Sequence, residues 1–548
     1  MKKFYKIIFI AFLTNTAFSQ WSTNPYENLQ VAVHGGNIHV VSDGNGGALI
    51  TFNNFDYDVV TTYMQAVDRY GYLKWTEPKI LADGPGPINY IQDIFHNPDG
   101  TILIGYTSGY TYVDPIPRFE YDPYVQKTDS NGNKLWGENG IRLRADSTGK
   151  EISGIDFCYD GDGGLYAFWN FNYEVNYPPY FYDSLFIQHI SNDGVRLWGE
   201  NGIFIDDSIF SALNLWVHKD DSGGIYIQYR KKNTEHYIKK YDAIGNLNWI
   251  VVNLMSFPRV ISDDQGGIVV NGVKVVLPRQ LIINRISSEG EKLWGDEGII
   301  VDSVGANYAN ALMLLNSDNT VSVFWNTEWY QNSDVLLQRY TLDGDQLWQE
   351  HLKIGDLNNK AGIIETDNNS NIVFWRQRRD TTETYAQKID ALGNILWNED
   401  KLMSYLLVDE PNVITTENYG AILVWRTDPP WGGIYAQQIS KYGNLGEVIT
   451  TVIGENNNIN ASSLYLAQNY PNPFNPITKI QYAVGNRQFV SLKVYDILGR
   501  QVATLVNDEK SAGSYTVEFN AGELSSGVYY YKLTAGDFSE IKKLVLVK

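Results

Sequence analysis

Residues 390–397 read Asp-Ala-Leu-Gly-Asn-Ile-Leu-Trp, a short polar turn that ends in Gly393 and is followed four residues later by Trp397. This spacing occurs seven times, at Gly71/Trp75, Gly132/Trp136, Gly194/Trp198, Gly245/Trp249, Gly290/Trp294, Gly344/Trp348 and Gly393/Trp397. A fixed internal period takes precedence over other local signals, because a missed repeat leads to the wrong fold. The sequence therefore predicts one supersecondary unit that is built several times in succession.

Each Gly-Trp unit belongs to a longer pattern that begins with an earlier turn rich in Asp, Asn and Gly, such as 160–164, and a short apolar strand, such as 165–169. This earlier turn occurs eight times, at 42–47, 97–100, 160–164, 220–224, 263–267, 316–319, 367–370 and 417–420. A third strand with a recurrent Gln leads to the second turn, which reads Asp/Ser/Thr-x-x-Gly in all eight repeats. A side-chain acceptor at the first position and a left-handed Gly at the last are typical of a type I turn that closes into a bulge.

Four short antiparallel strands per repeat indicate an all-β fold, and we predict an eight-bladed β-propeller. Successive Trp residues are separated by 45 residues (Trp249 to Trp294) to 62 residues (Trp136 to Trp198), which suits one blade per repeat. Seven blades and an open solenoid of hairpins are the alternatives.

The two ends of the repeat region favour a closed arrangement. The eighth repeat reaches Gly443 but carries Glu447 where Trp is expected, whereas Trp21 stands alone near the start of the chain. We therefore predict that the N-terminal strand completes the last blade, which hides the strand edges that an open array exposes.

The Gly-x-x-x-Trp spacing resembles the repeat of the propellers that bind pyrroloquinoline quinone. The resemblance implies that the Trp side chains dock between adjacent blades, and the docking residues are then Trp21, Trp75, Trp136, Trp198, Trp249, Trp294, Trp348 and Trp397. The adjacent cysteine pair of the quinone enzymes cannot form here, since Cys158 is the single cysteine. We therefore predict the blade geometry without the cofactor.

Composition limits the classes of function. The 548 residues include 63 acidic and 43 basic side chains, and a net charge of −20 argues against nucleic-acid binding, which needs a basic face. A single cysteine excludes an intramolecular disulfide and a cysteine-based metal cluster.

The N-terminus predicts export. Three lysines within the first six residues precede the apolar run 7–13, and Ala17-Phe18-Ser19 is typical of a cleavage site. We predict a signal peptide at residues 1–19, and no later stretch is long and apolar enough to form a transmembrane helix.

The C-terminal region differs from the repeats. After a propeller at 20–453 we predict a polar linker at 454–463 and, at 464–548, a small Ig-like β-sandwich of short alternating strands. It opens with the proline-rich segment 469–476, which reads NYPNPFNP and cannot form a central strand.

This module resembles the type A C-terminal sorting domain of the bacterial type IX secretion system. The residues that carry the resemblance include Asn469, Tyr470, Pro471, Asn472, Pro473, Phe474, Asn475, Pro476, Asp496, Gly499, Arg500, Gly527, Lys542 and Lys543. The resemblance implies a Gram-negative source, an interaction with the type IX machinery, and passage through the periplasm and across the outer membrane. The mature protein is then secreted or attached to the cell surface.

No catalytic, cofactor-binding or metal-binding residue is predicted, because no zinc spacing or nucleophile motif is present. Calcium is the one alternative: Asp160-x-Asp162 and Asp129-x-Asn131-x-Asn133 place oxygen atoms at alternate positions, although Lys134 stands where an EF-hand loop needs Gly. A ligand site at the mouth of the channel would use aromatic residues of the long loops, and the candidates are Tyr173, Tyr177, Tyr180, Trp329, Tyr330 and Trp431.

The sequence thus leaves three hypotheses for the exported repeat region. We favour a binding module for an extracellular glycan or protein. The alternatives are a carbohydrate-active hydrolase or lyase with a carboxylate pair, and a structural surface protein without a small ligand.

Overall fold

The structure, a computed structural model, divides into two compact units, Met1–Glu447 and Val448–Lys548. It describes residues 21–56, 59–82, 86–112, 118–145, 151–175, 180–209, 216–220, 222–231, 235–253, 256–274, 279–303, 311–327, 333–356, 358–378, 382–405, 409–416, 420–427, 433–446, 465–466, 469, 474–484, 487–497, 499–511, 513–536 and 538–547. The predicted signal peptide and the predicted domain boundaries at 453/454 and 463/464 lie outside these residues. Within them the fold is all-β, with one 3-10 helix at Asp367–Asn369. In the described part of the chain, no helix has the length and hydropathy needed to cross a bilayer.

The first unit begins with β1 (Leu29–Ala32) and continues with groups of four consecutive strands. Sheets 1 to 4 are formed by β2 (Gly36–Ser42), β3 (Ala48–Asp56), β4 (Val59–Val67) and β5 (Lys79–Ala82); β6 (Ile88–His96), β7 (Ile102–Tyr112), β8 (Arg118–Thr128) and β9 (Ile141–Arg142); β10 (Glu151–Tyr159), β11 (Leu165–Val175), β12 (Tyr180–Ile190) and β13 (Ile203–Ile209); β14 (Trp216–Lys219), β15 (Ile225–Arg230), β16 (His236–Tyr241) and β17 (Leu247–Asn253). Sheets 5 to 7 are formed by β18 (Ser256–Ser262), β19 (Ile268–Lys274), β20 (Gln280–Ile286) and β21 (Ile299–Asp302); β22 (Leu312–Leu315), β23 (Thr320–Asn326), β24 (Asp334–Thr341) and β25 (Leu352–Asp356); β26 (Asn358–Glu365), β27 (Asn371–Arg378), β28 (Thr382–Ile389) and β29 (Lys401–Ser404). Sheet 8 contains β30 (Asp409–Thr415), β31 (Ala421–Thr427) and β32 (Gly433–Ile439).

Within each sheet the strands follow one another as antiparallel neighbours. Sheets 1 and 2 are joined by a single parallel bridge between Val60 and Ile88. The second strands are buried on both faces, as in β23, because each sheet packs against a neighbour on either side.

The fourth strand of sheet 8 comes from the other end of the chain. β1 pairs antiparallel with β32, and Leu29 lies opposite Ala436. The segment that follows Trp21 thus supplies the strand that the eighth repeat lacks, as the sequence predicts.

Hydrophobic side chains are buried between the sheets. Each of eight clusters draws its residues from two successive sheets and contains one of the eight predicted docking tryptophans. The cluster of Trp21 joins sheet 8 to sheet 1 through residues such as Ile50 and Val424. The first strand of each sheet also contacts the first strand of the next, and β30 contacts β2.

The second unit contains two antiparallel sheets. The first contains β33 (Tyr465–Leu466), β34 (Ile477–Val484) and β37 (Gly513–Asn520), and the second contains β35 (Gln488–Asp496), β36 (Gln501–Lys510), β38 (Gly527–Ala535) and β39 (Phe538–Leu546). Residues of both sheets, such as Ile480, Leu492 and Leu533, share one hydrophobic core.

Candidate functional site

The turns that connect the first strand to the second, and the third to the fourth, lie at one end of each sheet, which we call the turn end. There the indole nitrogen of a docking tryptophan donates to a main-chain carbonyl in the turn of the next sheet. These pairs are Trp21 with Arg69 (2.9 Å), Trp198 with Ala243 (3.2 Å), Trp249 with Ser288 (2.8 Å), Trp294 with Leu342 (3.1 Å), Trp348 with Ala391 (3.0 Å) and Trp397 with Lys441 (3.3 Å). The acceptor is always the second residue of the Asp/Ser/Thr-x-x-Gly turn.

The glycine of this turn has two roles. Gly290 has φ +88°, and a Cβ atom at that position would lie 3.0 Å from the indole of Trp249. Gly393 stands in the same relation to Trp348, at 3.1 Å. Each glycine therefore supplies the left-handed conformation of its own turn and the space for the tryptophan of the preceding sheet.

The recurrent glutamine of the third strand holds the tryptophan segment of its own sheet. Buried Gln387 donates from Nε2 to the carbonyl of Trp397 (3.2 Å) and accepts from the Trp397 amide (3.2 Å). In sheet 8 the tryptophan comes from the N-terminus, and Gln437 donates to the carbonyl of Ser22 (2.8 Å). One amide side chain thereby satisfies main-chain groups that would otherwise be buried without partners.

Ion pairs at the turn end were not predicted. The residue after the recurrent glutamine position is often basic, and in several sheets it pairs with an acidic residue of the first turn. Examples are His189 with Asp160 (3.0 Å), Lys240 with Asp220 (3.1 Å), Arg285 with Asp263 (2.8 Å) and Arg339 with Asp318 (2.9 Å). The sequence does contain a signal for these ion pairs. When the third strands of the repeats are aligned, Lys, His or Arg recurs one residue after the recurrent glutamine position.

The two candidate calcium motifs form turns. Asp129 Oδ1 accepts from the amides of Asn131 (2.8 Å) and Asn133 (2.9 Å), and its Oδ2 accepts from the Asn133 side chain. Asp160 accepts from the amides of Asp162 and Gly164, and its Oδ2 contacts His189. Among the described residues, no group of three or more His, Cys, Asp or Glu side chains is arranged to hold a metal ion.

The opposite end, which we call the loop end, carries the predicted ligand loops. Tyr173 and Tyr180 belong to β11 and β12, where Tyr173 lies opposite Tyr182 and Tyr180 opposite Val175. Tyr177, Trp329, Tyr330 and Trp431 lie outside the described residues. The strands β7, β8, β11 and β12 have 11 residues each, so sheets 2 and 3 extend farthest toward this end.

Sequence reasoning missed an aromatic group at the loop end of sheets 1 and 2. The ring centres of Phe55 and Tyr90 are 6.3 Å apart, and those of Tyr90 and Tyr121 are 6.0 Å apart. Phe55 is 53% exposed, and Tyr110 on the neighbouring strand β7 is 46% exposed. We call Phe55, Tyr90 and Tyr121 the aromatic row.

A second set of residues occupies one register position on the first strands, four residues before the first Asp or Asn of the first turn. In sheets 1 to 5 this position is held by His39, Asp93, Asp156, Trp216 and Arg259, which we call the inner arc. All five are partly exposed, whereas the following residues Ile94, Phe157, Val217 and Val260 are buried. The inner arc is therefore the accessible side of the first strands, and its position can be counted back from each turn once the packed side is known.

Electrostatic coupling marks the acidic half of the inner arc. His39 Nδ1 lies 3.7 Å from Asp93 Oδ1, and Asp156 Oδ2 accepts from the Val217 amide (2.8 Å). Desolvation, with a smaller contribution from the nearby Asp93 charge, raises the pKa of Asp156 to about 7. A carboxyl group with this pKa can exchange a proton near neutral pH.

Cys158 lies two residues after Asp156 on β10 and accepts a hydrogen bond within the fold. Its sulfur accepts from the Lys219 amide at 3.1 Å. Burial raises the pKa of the thiol to about 12, so it is protonated and a poor nucleophile at neutral pH.

In the second unit, the sorting-motif residues that the structure describes have mainly architectural contacts. The main-chain N–H of buried Asn469 donates to the Tyr531 hydroxyl (2.7 Å), and Phe474 exchanges main-chain hydrogen bonds with Val545 and Val547. Pro476 accepts from Ala521, Asp496 pairs with Arg500 (2.7 Å) in the turn that contains Gly499, and Asn475 is exposed. Gly527 begins β38, and Lys542 and Lys543 lie on β39 opposite Tyr531 and Tyr530. Residues 470–473 lie outside the described ranges.

Solved structures with similar folds share little sequence with this chain. The BP39L lectin from Burkholderia pseudomallei is 10% identical with a TM-score of 0.42, over 68% of this chain and 99% of the lectin. Prolyl oligopeptidase B from Galerina marginata is 10% identical with a TM-score of 0.42, over 74% of this chain and 56% of the enzyme. A polysaccharide lyase of family PL25, an ulvan lyase, is 11% identical with a TM-score of 0.36, over 79% of this chain and 96% of the lyase. These values carry no argument about function.

Comparison of sequences gives a result for the tail alone. No curated protein sequence matches the chain significantly. Residues 468–548 match the family model of the secretion system C-terminal sorting domain, and a chain with this tail is exported to the cell surface or secreted.

Proposed function

We propose that the first unit is a closed eight-bladed β-propeller that binds a glycan outside the cell, and that the type IX tail delivers it there. The proposal of a closed ring rests on the pairing of β1 with β32, on the contact of β30 with β2, and on the Trp21 cluster between sheets 8 and 1. In a closed ring the loop ends of all sheets surround the axis on one face. Propellers place ligand sites in loops of this kind.

The observation that carries the glycan proposal is the partly exposed aromatic row. Phe55 is 53% exposed, and Tyr90 and Tyr121 are partly exposed, in a chain that buries most large apolar side chains between sheets. Accessible aromatic rings offer flat apolar surface, and tyrosine adds a hydroxyl that can hydrogen-bond. Sugar rings present both an apolar face and hydroxyl groups, so they suit such a surface.

Glycan binding by the purified chain tests the proposal. We expect retention on a glycan array, and we expect the double variant Phe55→Ala/Tyr90→Ala, which removes two residues of the aromatic row, to bind at least tenfold more weakly. Leu392→Ala is the matched control, because Leu392 is 79% exposed at the turn end and its loss should leave binding unchanged. Equal binding by the double variant, or retention of a protein partner without any glycan, would contradict the proposal.

A hydrolase or lyase is the second candidate, and the raised pKa of Asp156 beside Asp93 favours it. A carboxyl group that is protonated near neutral pH can act as a general acid. Chain cleavage of a bound polysaccharide, measured as new reducing ends and lost in Asp156→Asn, would support this candidate. Binding without cleavage leaves the binding module as the function.

A further inference from the structure

Arg259 occupies the inner arc beside Trp216, at the same register position in the next sheet. Its guanidinium carbon lies 5.8 Å from the centre of the Trp216 ring, within the range of a cation–π contact. The indole therefore holds the guanidinium group in place without using the hydrogen-bond donors at its edge.

The other buried arginines of the repeat region have acidic partners. Arg285, in the same sheet, pairs with Asp263, and Arg339 pairs with Asp318. The Arg259 side chain contacts the Trp216 ring, and among the described residues it forms neither a hydrogen bond nor an ion pair. Desolvation lowers the pKa of Arg259, and no carboxylate within the described ranges opposes this shift. A largely desolvated cation without a counter-charge among the described residues is unfavourable in the free protein, and a bound anion would relieve this cost.

The distribution of charge along the inner arc determines which end of the arc suits an anionic group of a ligand. Asp93 and Asp156 lie on sheets 2 and 3, Arg259 lies on sheet 5, and Trp216 separates them on sheet 4. An anionic group is repelled by the Asp93 carboxylate, and by Asp156 where it is ionised, and is attracted by the guanidinium group. Hydroxyl groups of the same ligand can donate to the carboxylates.

We propose that Arg259, positioned by Trp216, binds the carboxylate or sulfate group of an acidic sugar, so that the glycan of the proposed function is an acidic polysaccharide. This inference rests on the proposed function. The planar guanidinium group matches both anions through paired N–H donors. Because the chain carries a net charge of −20, long-range attraction does not explain polyanion binding, and recognition has to come from this local contact.

Matched polysaccharides test the inference with the full-length chain. The first pair is polygalacturonate and its methyl ester, and the second is a sulfated galactan and its desulfated form; each pair differs only in the anionic group. We expect calorimetry to show at least tenfold tighter binding of one acidic member than of its neutral counterpart. The pair that shows the difference distinguishes a carboxylate from a sulfate ligand.

Substitutions assign the effect to Arg259. Arg259→Gln should remove the preference for the acidic form, and Arg259→Lys should keep part of it. Lys274→Gln is the matched control, because it removes a positive charge from the same sheet, where Lys274 pairs with Glu297 at the surface. The thermal midpoint of ligand-free Arg259→Gln should equal or exceed that of the wild type, since a desolvated charge is removed.

The outcomes separate this inference from the proposed function. If neutral and acidic forms bind equally, or if Arg259→Gln keeps the preference, the anion site is wrong and the glycan-binding module stands. If no glycan of either kind binds, both are wrong. If Arg259→Gln does not fold, Arg259→Lys decides the question. A weaker preference for the acidic form than that of Lys274→Gln supports the anion site, and an equal preference overturns it.

Discussion

The indole nitrogen of Trp21 donates a hydrogen bond of 2.9 Å to the main-chain carbonyl of Arg69. The contact joins the fourth-strand segment of sheet 8 to the second turn of sheet 1. Trp397 makes the equivalent contact with Lys441 between sheets 7 and 8. Trp21 thus occupies, from the start of the chain, the position that an internal tryptophan occupies in the other repeats.

Removal of the Trp21 side chain should destabilise the first unit strongly. Trp21 is 4% exposed within the cluster between sheets 8 and 1, so Trp21→Ala leaves a cavity and removes the hydrogen bond to the Arg69 carbonyl. We expect a loss of about 3–5 kcal/mol in the free energy of unfolding, measured by chemical denaturation. Leu392→Ala should change it by less than about 0.5 kcal/mol, because that side chain is exposed. A cost for Trp21→Ala as small as that of the control would show that the first and last sheets are not held together by this residue.

Two glycines separate the cost of backbone conformation from the cost of crowding. Gly290 and Gly295 have similar φ angles, +88° and +82°. A Cβ atom at Gly290 meets the Trp249 indole at 3.0 Å, whereas a Cβ atom at Gly295 meets nothing within 4 Å. Gly295→Ala should therefore cost only the left-handed conformation, about 1–2 kcal/mol, and Gly290→Ala should cost more. Equal unfolding free energies for the two variants would contradict the proposed role of Gly290 in making room for Trp249.

Stability should depend on pH through Asp156. Its pKa is about 7 in the folded protein and near 3.8 when unfolded, so the folded state holds a proton that the unfolded state loses. The stability contributed by the protonated form is complete below pH 3.8 and is lost as the pH rises through 7. Asp156→Asn keeps an acceptor for the Val217 amide and removes the charge. We expect its thermal midpoint to exceed that of the wild type by more at pH 8 than at pH 5, because the wild type loses this stability progressively between pH 3.8 and 7; the same difference at both pH values would rule out this titration.

Cys158 should be unreactive in the native state. Burial raises the pKa of the thiol to about 12, and the Lys219 amide donates a hydrogen bond to the sulfur. At pH 8 we expect a thiol reagent to label the chain at a rate set by unfolding, and to label it rapidly in denaturant. Fast stoichiometric labelling of the folded protein would show that the thiol is accessible and ionised.

Local chemistry explains which features the sequence predicts. The turn glycines, the acceptor residue at the start of each turn, and the paired strands follow from backbone requirements within a few residues, and Gly290 and Asp129 are examples. The missing tryptophan near Glu447 and the surplus Trp21 indicate the pairing of the chain ends. These signals are local or countable, so a single sequence contains them.

The inner arc and the aromatic row could not be predicted in the same way. His39 and Asp93 are 54 positions apart in the chain, and they meet only because two first strands are neighbours. The aromatic row depends likewise on the juxtaposition of β3, β6 and β8. The exposure of Arg259 relative to Val260 depends on which side of the strand is packed. These strands do not show a simple alternation of polar and apolar residues, so the sequence does not reveal the packed side.

Passage across the outer membrane should depend on the second unit. Residues 468–548 match the sorting-domain family, and Phe474 ties the start of this segment to its last strand through hydrogen bonds with Val545 and Val547. Deletion of 468–548 in the native host should therefore leave the repeat region inside the cell envelope, measured by fractionation and surface proteolysis. A chain with Leu392→Ala and the intact tail controls for a general effect of mutation and should reach the surface or the medium. Thermal unfolding of the truncated chain should retain the transition of the first unit, because the hydrophobic clusters of that unit contain no residue after 447. If the truncated chain folds and still reaches the surface in normal amounts, the tail is not the signal that directs this protein across the outer membrane.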